Sequence, residues 1–163
     1  DVCIKRQKLM LGAILLAQGI PFIHSGQEFC RTKNGLHNTY RSPDTVNQID
    51  WTRKDRYLEV FKYTKDMIKL RKMFPILRLT QSEQIESHVK FREFDGMLIL
   101  NYKCQKATPY SEIWIYINPT NQIYYESFNS FVKIIANEAG LIDGLLVQNA
   151  TINPYTLVVF GTV

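Results

Sequence analysis

Gln18-Gly19-Ile20-Pro21-Phe22-Ile23-His24-Ser25-Gly26-Gln27-Glu28-Phe29 is the stretch on which the fold assignment turns. Upstream of it Val2, Leu9, Met10, Ala13, Ile14 and Ala17 recur at helical spacing, with Lys5, Arg6 and Lys8 between them. That period predicts a helix over 2–17. Leu11, Leu15 and Leu16 widen its apolar surface, which suits a helix covered by protein on several sides. Gly19 ends the helix and Pro21 prevents its resumption. The run Ile20 to His24 is short, apolar and β-prone. A helix followed so closely by a strand is the repeating unit of a parallel α/β fold, so 20–24 is predicted as a buried parallel strand.

Downstream the polar stretch from Arg31 to Trp51 carries few regular signals, and its aromatic, Asn and Asp content predicts an ordered, functional loop. Asp55 is the predicted cap of a second helix, whose apolar stripe (Tyr57, Leu58, Phe61, Thr64, Met67, Ile68, Leu70 and Arg71) lies opposite a basic face and which Pro75 stops after Phe74. Beyond Thr80 the period changes from 3.6 to 2. Val89, Phe91 and the segment Met97 to Tyr102 flank Asp95-Gly96, a strong hairpin signal. Ile113, Ile115 and Ile117 alternate with Trp114 and Tyr116 before an Asn118-Pro119 turn. Further strands are predicted at 122–126, 131–136, 145–148 and 156–160. Short strands joined by turns indicate an antiparallel β-sandwich.

Composition sets limits on function. The chain has 163 residues, 45% apolar and 21% charged, as in a folded globular protein. Its longest apolar stretch, 9–17, falls short of the roughly 20 residues that span a bilayer, so no membrane partner is expected. The net charge of +5 is uneven: residues 1–79 hold 15 Lys/Arg against 7 Asp/Glu, residues 80–163 hold 5 against 8. This places a junction near Leu79. Lys62, Lys65, Lys69 and Lys72 sit at helix spacing, as on a solvated helix face, and nucleic acid is not the expected partner. Cys3, Cys30 and Cys104 are too far apart for zinc or redox motifs and read as free thiols. The sequence enters a helical pattern directly at Asp1-Val2-Cys3, which reads as part of a longer chain.

No motif for chemistry stands out. Glu28 at the end of the predicted strand is either an active-site carboxylate or an anchor for the following loop. His24 is either a ligand contact or a hydrogen-bonded interior histidine. His37 and His88 stand alone, so no metal site is expected. There is no G-x-S-x-G and no phosphate-binding glycine loop, so neither a serine triad nor a nucleotide cofactor is expected, and no cofactor is assigned. Tyr40 and Trp51 are the aromatic candidates for stacking on a sugar.

The segment 18–29, continued by Arg31-Thr32-Lys33-Asn34-Gly35, Asn38-Thr39-Tyr40-Arg41-Ser42-Pro43-Asp44 and Val46-Asn47-Gln48-Ile49-Asp50-Trp51, resembles the region of type I pullulanases that begins at the eighth barrel strand. These segments, 30 residues within 18–51, carry the likeness. The first motif is shared with the wider alpha-amylase superfamily, whereas R-T-K-N-G and N-Q-I-D-W are similar to pullulanases in particular. The resemblance implies an α+β chain: residues 1–79 as the last helix-strand-helix part of a (β/α)8 barrel, and 80–163 as an antiparallel β-sandwich C-terminal domain. It implies part of an enzyme that hydrolyses α-1,6-glucosidic linkages of pullulan, glycogen or amylopectin by the retaining mechanism, with two carboxylates about 5–5.5 Å apart. The family's carboxylate motifs precede this region and none occurs here, so no catalytic residue is assigned and the chain alone is expected to be inactive. The implied partners are an α-glucan substrate and the preceding barrel residues. In the family an acidic and a basic residue of this loop hold a glucose unit, which makes Asp44 and Arg41 the first substrate-binding candidates, with Tyr40 and Asn47. The other reading is that Asp44 fixes a turn after Pro43 and pairs with Arg41. The alternative for the whole chain is a non-catalytic carbohydrate-binding or structural β-sandwich module.

Overall fold

A computed structural model describes residues 1–104 and 108–163. Helix α1 (Val2–Leu16) starts where the Asp1 carboxylate accepts the Cys3 N–H at 2.9 Å. Two short helices, α2 (Asp44–Asn47) and α3 (Thr52–Arg56), interrupt the polar stretch before α4 (Leu58–Met73), and α5 (Ser82–His88) precedes the strands. The strands are β1 (Val89–Phe94), β2 (Met97–Lys103), β3 (Glu112–Asn118), β4 (Tyr124–Asn137), β5 (Gly140–Leu141), β6 (Leu146–Ile152) and β7 (Thr156–Thr162). All pairings among them are antiparallel, in the order β1-β2-β3-β7-β4-β5, with β6 also on β4.

The sheet curls. At one side the β1–β2 hairpin turns through Asp95 and Gly96, both at positive φ (48° and 79°), as a two-residue turn of the primed type requires. At the other, β4 loses register between Ser127 and Val132 and bends. The bend brings its start back to the hairpin: the Tyr124 hydroxyl donates to the Asp95 carbonyl, and Arg92 meets Glu126 at 3.7 Å. The expected sandwich is thus one sheet folded over itself, and the strands predicted separately at 122–126 and 131–136 are the two arms of β4.

Alternation along the strands produces two cores. Met97, Ile99, Tyr116, Val132, Ile152, Val158 and Phe160 fill the inner face. Ile113, Ile115, Leu157 and Val159 point outward against Leu9, Leu15 and Leu16 of α1 and Tyr63, Met67 and Leu70 of α4. Each such side chain contributes about 1.5–3 kcal/mol on burial. The helices therefore share one core with the sheet. Gly12 permits their approach, because a Cβ there would run into the Tyr63 hydroxyl and the Leu157 side chain.

Arg71, only 7% exposed, ties the end of α1 to α4. Its guanidinium donates to the carbonyls of Leu15 (2.8 Å), Ala17 (2.7 Å) and Gly19 (2.5 Å). Leu15 is in the last turn, whose carbonyls have no partner inside the helix, and Ala17 and Gly19 follow it. The Tyr102 hydroxyl donates to the Leu16 carbonyl at 3.1 Å, and burial pushes that phenol up to about 12.

Three sequence expectations are corrected. Residues 20–24 form no strand: among the described residues nothing pairs with them, and Ile20 (97%) and Phe22 (85%) are exposed rather than buried. A parallel strand exists only with a neighbour to share its ladder. Asp55 lies inside α3 and does not cap α4, which follows Tyr57 with no side-chain cap. Helix α5 opens the region 80–163 that was expected to be all-β, and it gave no sequence signal because Ser82 to His88 buries no residue and leaves no apolar period to detect.

Candidate functional site

The loop from Arg31 to Trp51 is built on the segment that ends α1. At Gly26 the chain turns with φ 88°, and an added Cβ would strike the Arg31 side chain, so glycine is required on both counts. A short 3-10 turn, Gln27–Phe29, follows and buries Phe29. Arg31 then links the two ends of the loop by donating to the carbonyls of Ser25 (3.1 Å) and Asn47. Its Nε is buried without a partner among the described residues. Asn34 and Gly35, at φ 54° and 80°, make the tight turn that the Asn-Gly pair favours.

Asn47 is the hub of the loop. Its Nδ2 donates to the carbonyls of Thr39 (2.9 Å) and Ser42 (2.8 Å), and its Oδ1 accepts from Lys33 at 2.5 Å. Lys33 also donates to the Thr39 hydroxyl at 3.2 Å. At the far end Arg53 donates from Nε and Nη2 to the Cys30 carbonyl, at 2.8 and 2.5 Å. Trp51 rests against Phe29 with ring centroids 5.6 Å apart. The Asp50 carboxylate accepts from the Thr52 hydroxyl (2.6 Å) and N–H (3.0 Å), which starts α3 and holds the carboxyl below its ordinary range. Burial pushes the Cys30 thiol up, against the opposing charge of Arg53.

The four sequence candidates therefore divide. Tyr40, Arg41 and Asp44 are exposed and close in sequence, while the Asn47 side chain faces into the loop. Asp44 opens α2, and its carbonyl accepts from the Gln48 N–H at 2.7 Å. No ion pair joins Asp44 to Arg41 among the described residues, so the turn is held by backbone and Asn47 rather than by that pair. Glu28, the other candidate anchor, accepts no side-chain hydrogen bond among the described residues. It lines, with Ile23, His24, Ser25, Phe61 and Ile68, an open cavity of about 440 Å³. Of the residues that do anchor the loop, Arg31 and Lys33 lay in the quoted motifs and Arg53 just beyond them, but all three looked like ordinary surface charge. Their signal was basic side chains in a loop rich in carbonyl acceptors.

An exposed carboxylate, guanidinium and phenol on a stapled loop can exchange hydrogen bonds with a polyhydroxylic ligand, since together they offer both donors and acceptors. Comparison with known proteins gives this arrangement its context. Over its whole fold the chain superposes on the pullulanase of Anoxybacillus sp. LM18-11 complexed with maltotetraose, with a TM-score of 0.89 and 31% identity over 99% of this chain. The chain is a pullulanase homologue. The type I pullulanase of Bacillus subtilis strain 168, complexed with maltose, superposes with a TM-score of 0.89 at 28% identity, again over 99% of this chain. In sequence, the homologue is 49% identical over 85 residues to a pullulanase of Bacillus subtilis strain 168, and 32% identical over 94 residues to a glycogen debranching enzyme of Yersinia pseudotuberculosis. These stretches cover 52% and 57% of the chain. No protein-family profile matches it. The chain spans 12–14% of the length of these curated relatives and 24% of the solved chains.

Proposed function

We propose that the chain is the C-terminal part of a pullulanase-type debranching glycoside hydrolase that cleaves α-1,6-glucosidic linkages in pullulan, glycogen or amylopectin by the retaining mechanism. In this reading residues 1–79 are the end of the (β/α)8 barrel and 80–163, α5 with the antiparallel sheet, the C-terminal domain behind it, with the boundary near Leu79. Exposed Ile20 and Phe22, and the cavity beside α4, are then covered by the preceding barrel residues. The chain contributes one wall of the cleft. Tyr40, Arg41 and Asp44 contact a glucose unit, and Asn47 with Arg31 and Lys33 holds them in place.

The observation that carries this reading is the stapled 31–51 loop on a chain that superposes throughout on a pullulanase bound to maltotetraose. A splice tests it. This chain replaces the matching segment of the Bacillus subtilis pullulanase, and reducing-sugar release from pullulan is measured. The chimera is expected to be active and the 163-residue chain alone inactive. A folded but inactive chimera, or activity in the isolated chain, overturns the reading.

A further inference from the structure

A second groove, of about 340 Å³, opens on the sheet, and no residue of the 31–51 loop lines it. Its floor is Ile99, on the inner face, and across it run Lys90, Asn101 and Trp114, directly opposite one another on β1, β2 and β3. Neighbouring strands lie about 4.8 Å apart, so the three side chains make a row roughly 10 Å long. That is the length of a disaccharide.

Asn101 is only 8% exposed, yet its Nδ2 has no hydrogen-bond partner among the described residues. A buried amide left in this way loses the free energy of its hydration with nothing in return, and such groups mark sites where a ligand or water completes the pairing. Beside it Trp114 is held in orientation by donation from Nε1 to the Thr162 hydroxyl at 3.2 Å. Exposed Lys90 adds donors at one end of the row. Arg92, opposite Ile99, is already paired with Glu126 at 3.7 Å, so the groove offers amide and ammonium donors and an indole surface rather than a bare cationic pocket. Pyranose rings match that set, with a C–H face for the indole and hydroxyls for the polar groups.

We propose that this groove is a second α-glucan-binding site, remote in sequence from the cleft loop, in which Trp114 stacks on one glucose unit and the Asn101 amide donates to a hydroxyl of the chain. The choice of an α-glucan rests on the debranching reading above.

The two tryptophans allow the sites to be read separately. In a Trp51→Phe chain all indole emission comes from Trp114, and titration with maltotetraose is expected to change it saturably in the millimolar range. Adding Asn101→Leu is expected to weaken binding roughly fivefold, the value of one neutral hydrogen bond, while leaving the melting temperature unchanged or higher. Asp44→Ala is expected to leave the Trp114 response as it was. In the Bacillus subtilis chimera, Asn101→Leu is expected to reduce retardation in amylopectin-containing gels without changing hydrolysis of a short substrate. An unresponsive Trp114, undiminished binding by Asn101→Leu, or displacement of maltotetraose by inorganic phosphate overturns the proposal. An inactive chimera whose Trp114 still titrates defeats the debranching reading and leaves this site standing.

Discussion

Replacing Arg71 with Met tests whether a buried guanidinium fastens the end of α1. The methionine stem keeps most of the packing against α1, so the change isolates the three bonds to the carbonyls of Leu15, Ala17 and Gly19. A hydrogen bond from a charged donor is worth about 1.5–3 kcal/mol, which puts the gross loss at roughly 4.5–9 kcal/mol. Relief of guanidinium desolvation, of the order of several kcal/mol, offsets much of this. A net destabilisation of about 2–4 kcal/mol remains, a large share of the roughly 5–15 kcal/mol typical of folded domains. At about 2–4 °C per kcal/mol for a chain of this size, the melting temperature falls by about 4–16 °C. Urea denaturation followed by circular dichroism gives the free energy directly. Arg71→Lys is expected to recover only part of it, because a point charge cannot reach three carbonyls at once. A Met variant within about 0.5 kcal/mol of the parent is what a surface change gives, and it would refute the argument.

Gly12→Ala places a methyl group against the Tyr63 hydroxyl and Leu157, and overpacking of this kind is expected to lower stability by about 1–3 kcal/mol in the same denaturation assay. In the chimera Asp44→Ala should lower kcat/KM for pullulan about tenfold, the loss of one charge-assisted hydrogen bond, with an unchanged melting temperature. Asn47→Ala should lower the melting temperature as well, since it removes three bonds inside the loop. Asp50 has a folded pKa below its unfolded value, so its contribution is present above the unfolded pKa and disappears as pH falls through the folded one. Asp50→Asn should therefore flatten the acid side of the stability profile. Burial raises the Cys30 and Cys104 thiols, whereas Cys3 is exposed, so iodoacetamide at neutral pH should label Cys3 first by mass spectrometry.

Local signals were legible where a residue's role depends on its neighbours in sequence. The helix ends at Gly19 and Pro75, the Asp95-Gly96 hairpin and the alternation of β3 all reappear in the fold, because capping, turn chemistry and pleat act over a few residues. Residues 20–24 misled for the opposite reason: β-propensity describes a surface suited to pairing, and a strand also needs a partner. The break in β4 was read as two strands because a bulge and a turn leave the same interruption of period. In the loop, Tyr40, Arg41, Asp44 and Asn47 were grouped by motif alone. That Asn47 faces inward while the other three face solvent depends on the Thr39 and Ser42 carbonyls, whose positions no periodicity records. Spacing put Arg71 on the inward stripe of its helix but could not show the carbonyls it binds, and Asn101 was invisible altogether, since the partners and burial of a polar side chain are tertiary facts.

The position of β7 has a consequence for biosynthesis. It lies between β3 and β4, so it carries the strand pairing that joins the β1–β3 meander to the β4–β6 unit, and it supplies Leu157 and Val159 to the surface that receives α1 and α4. While the ribosome has yet to deliver residues 156–162, both units present unpaired edges and α1 lacks part of the wall it docks on. Assembly of this region is thus held back until those residues emerge, and a nascent chain stalled before Thr156 is a natural client for chaperones that shield open strands.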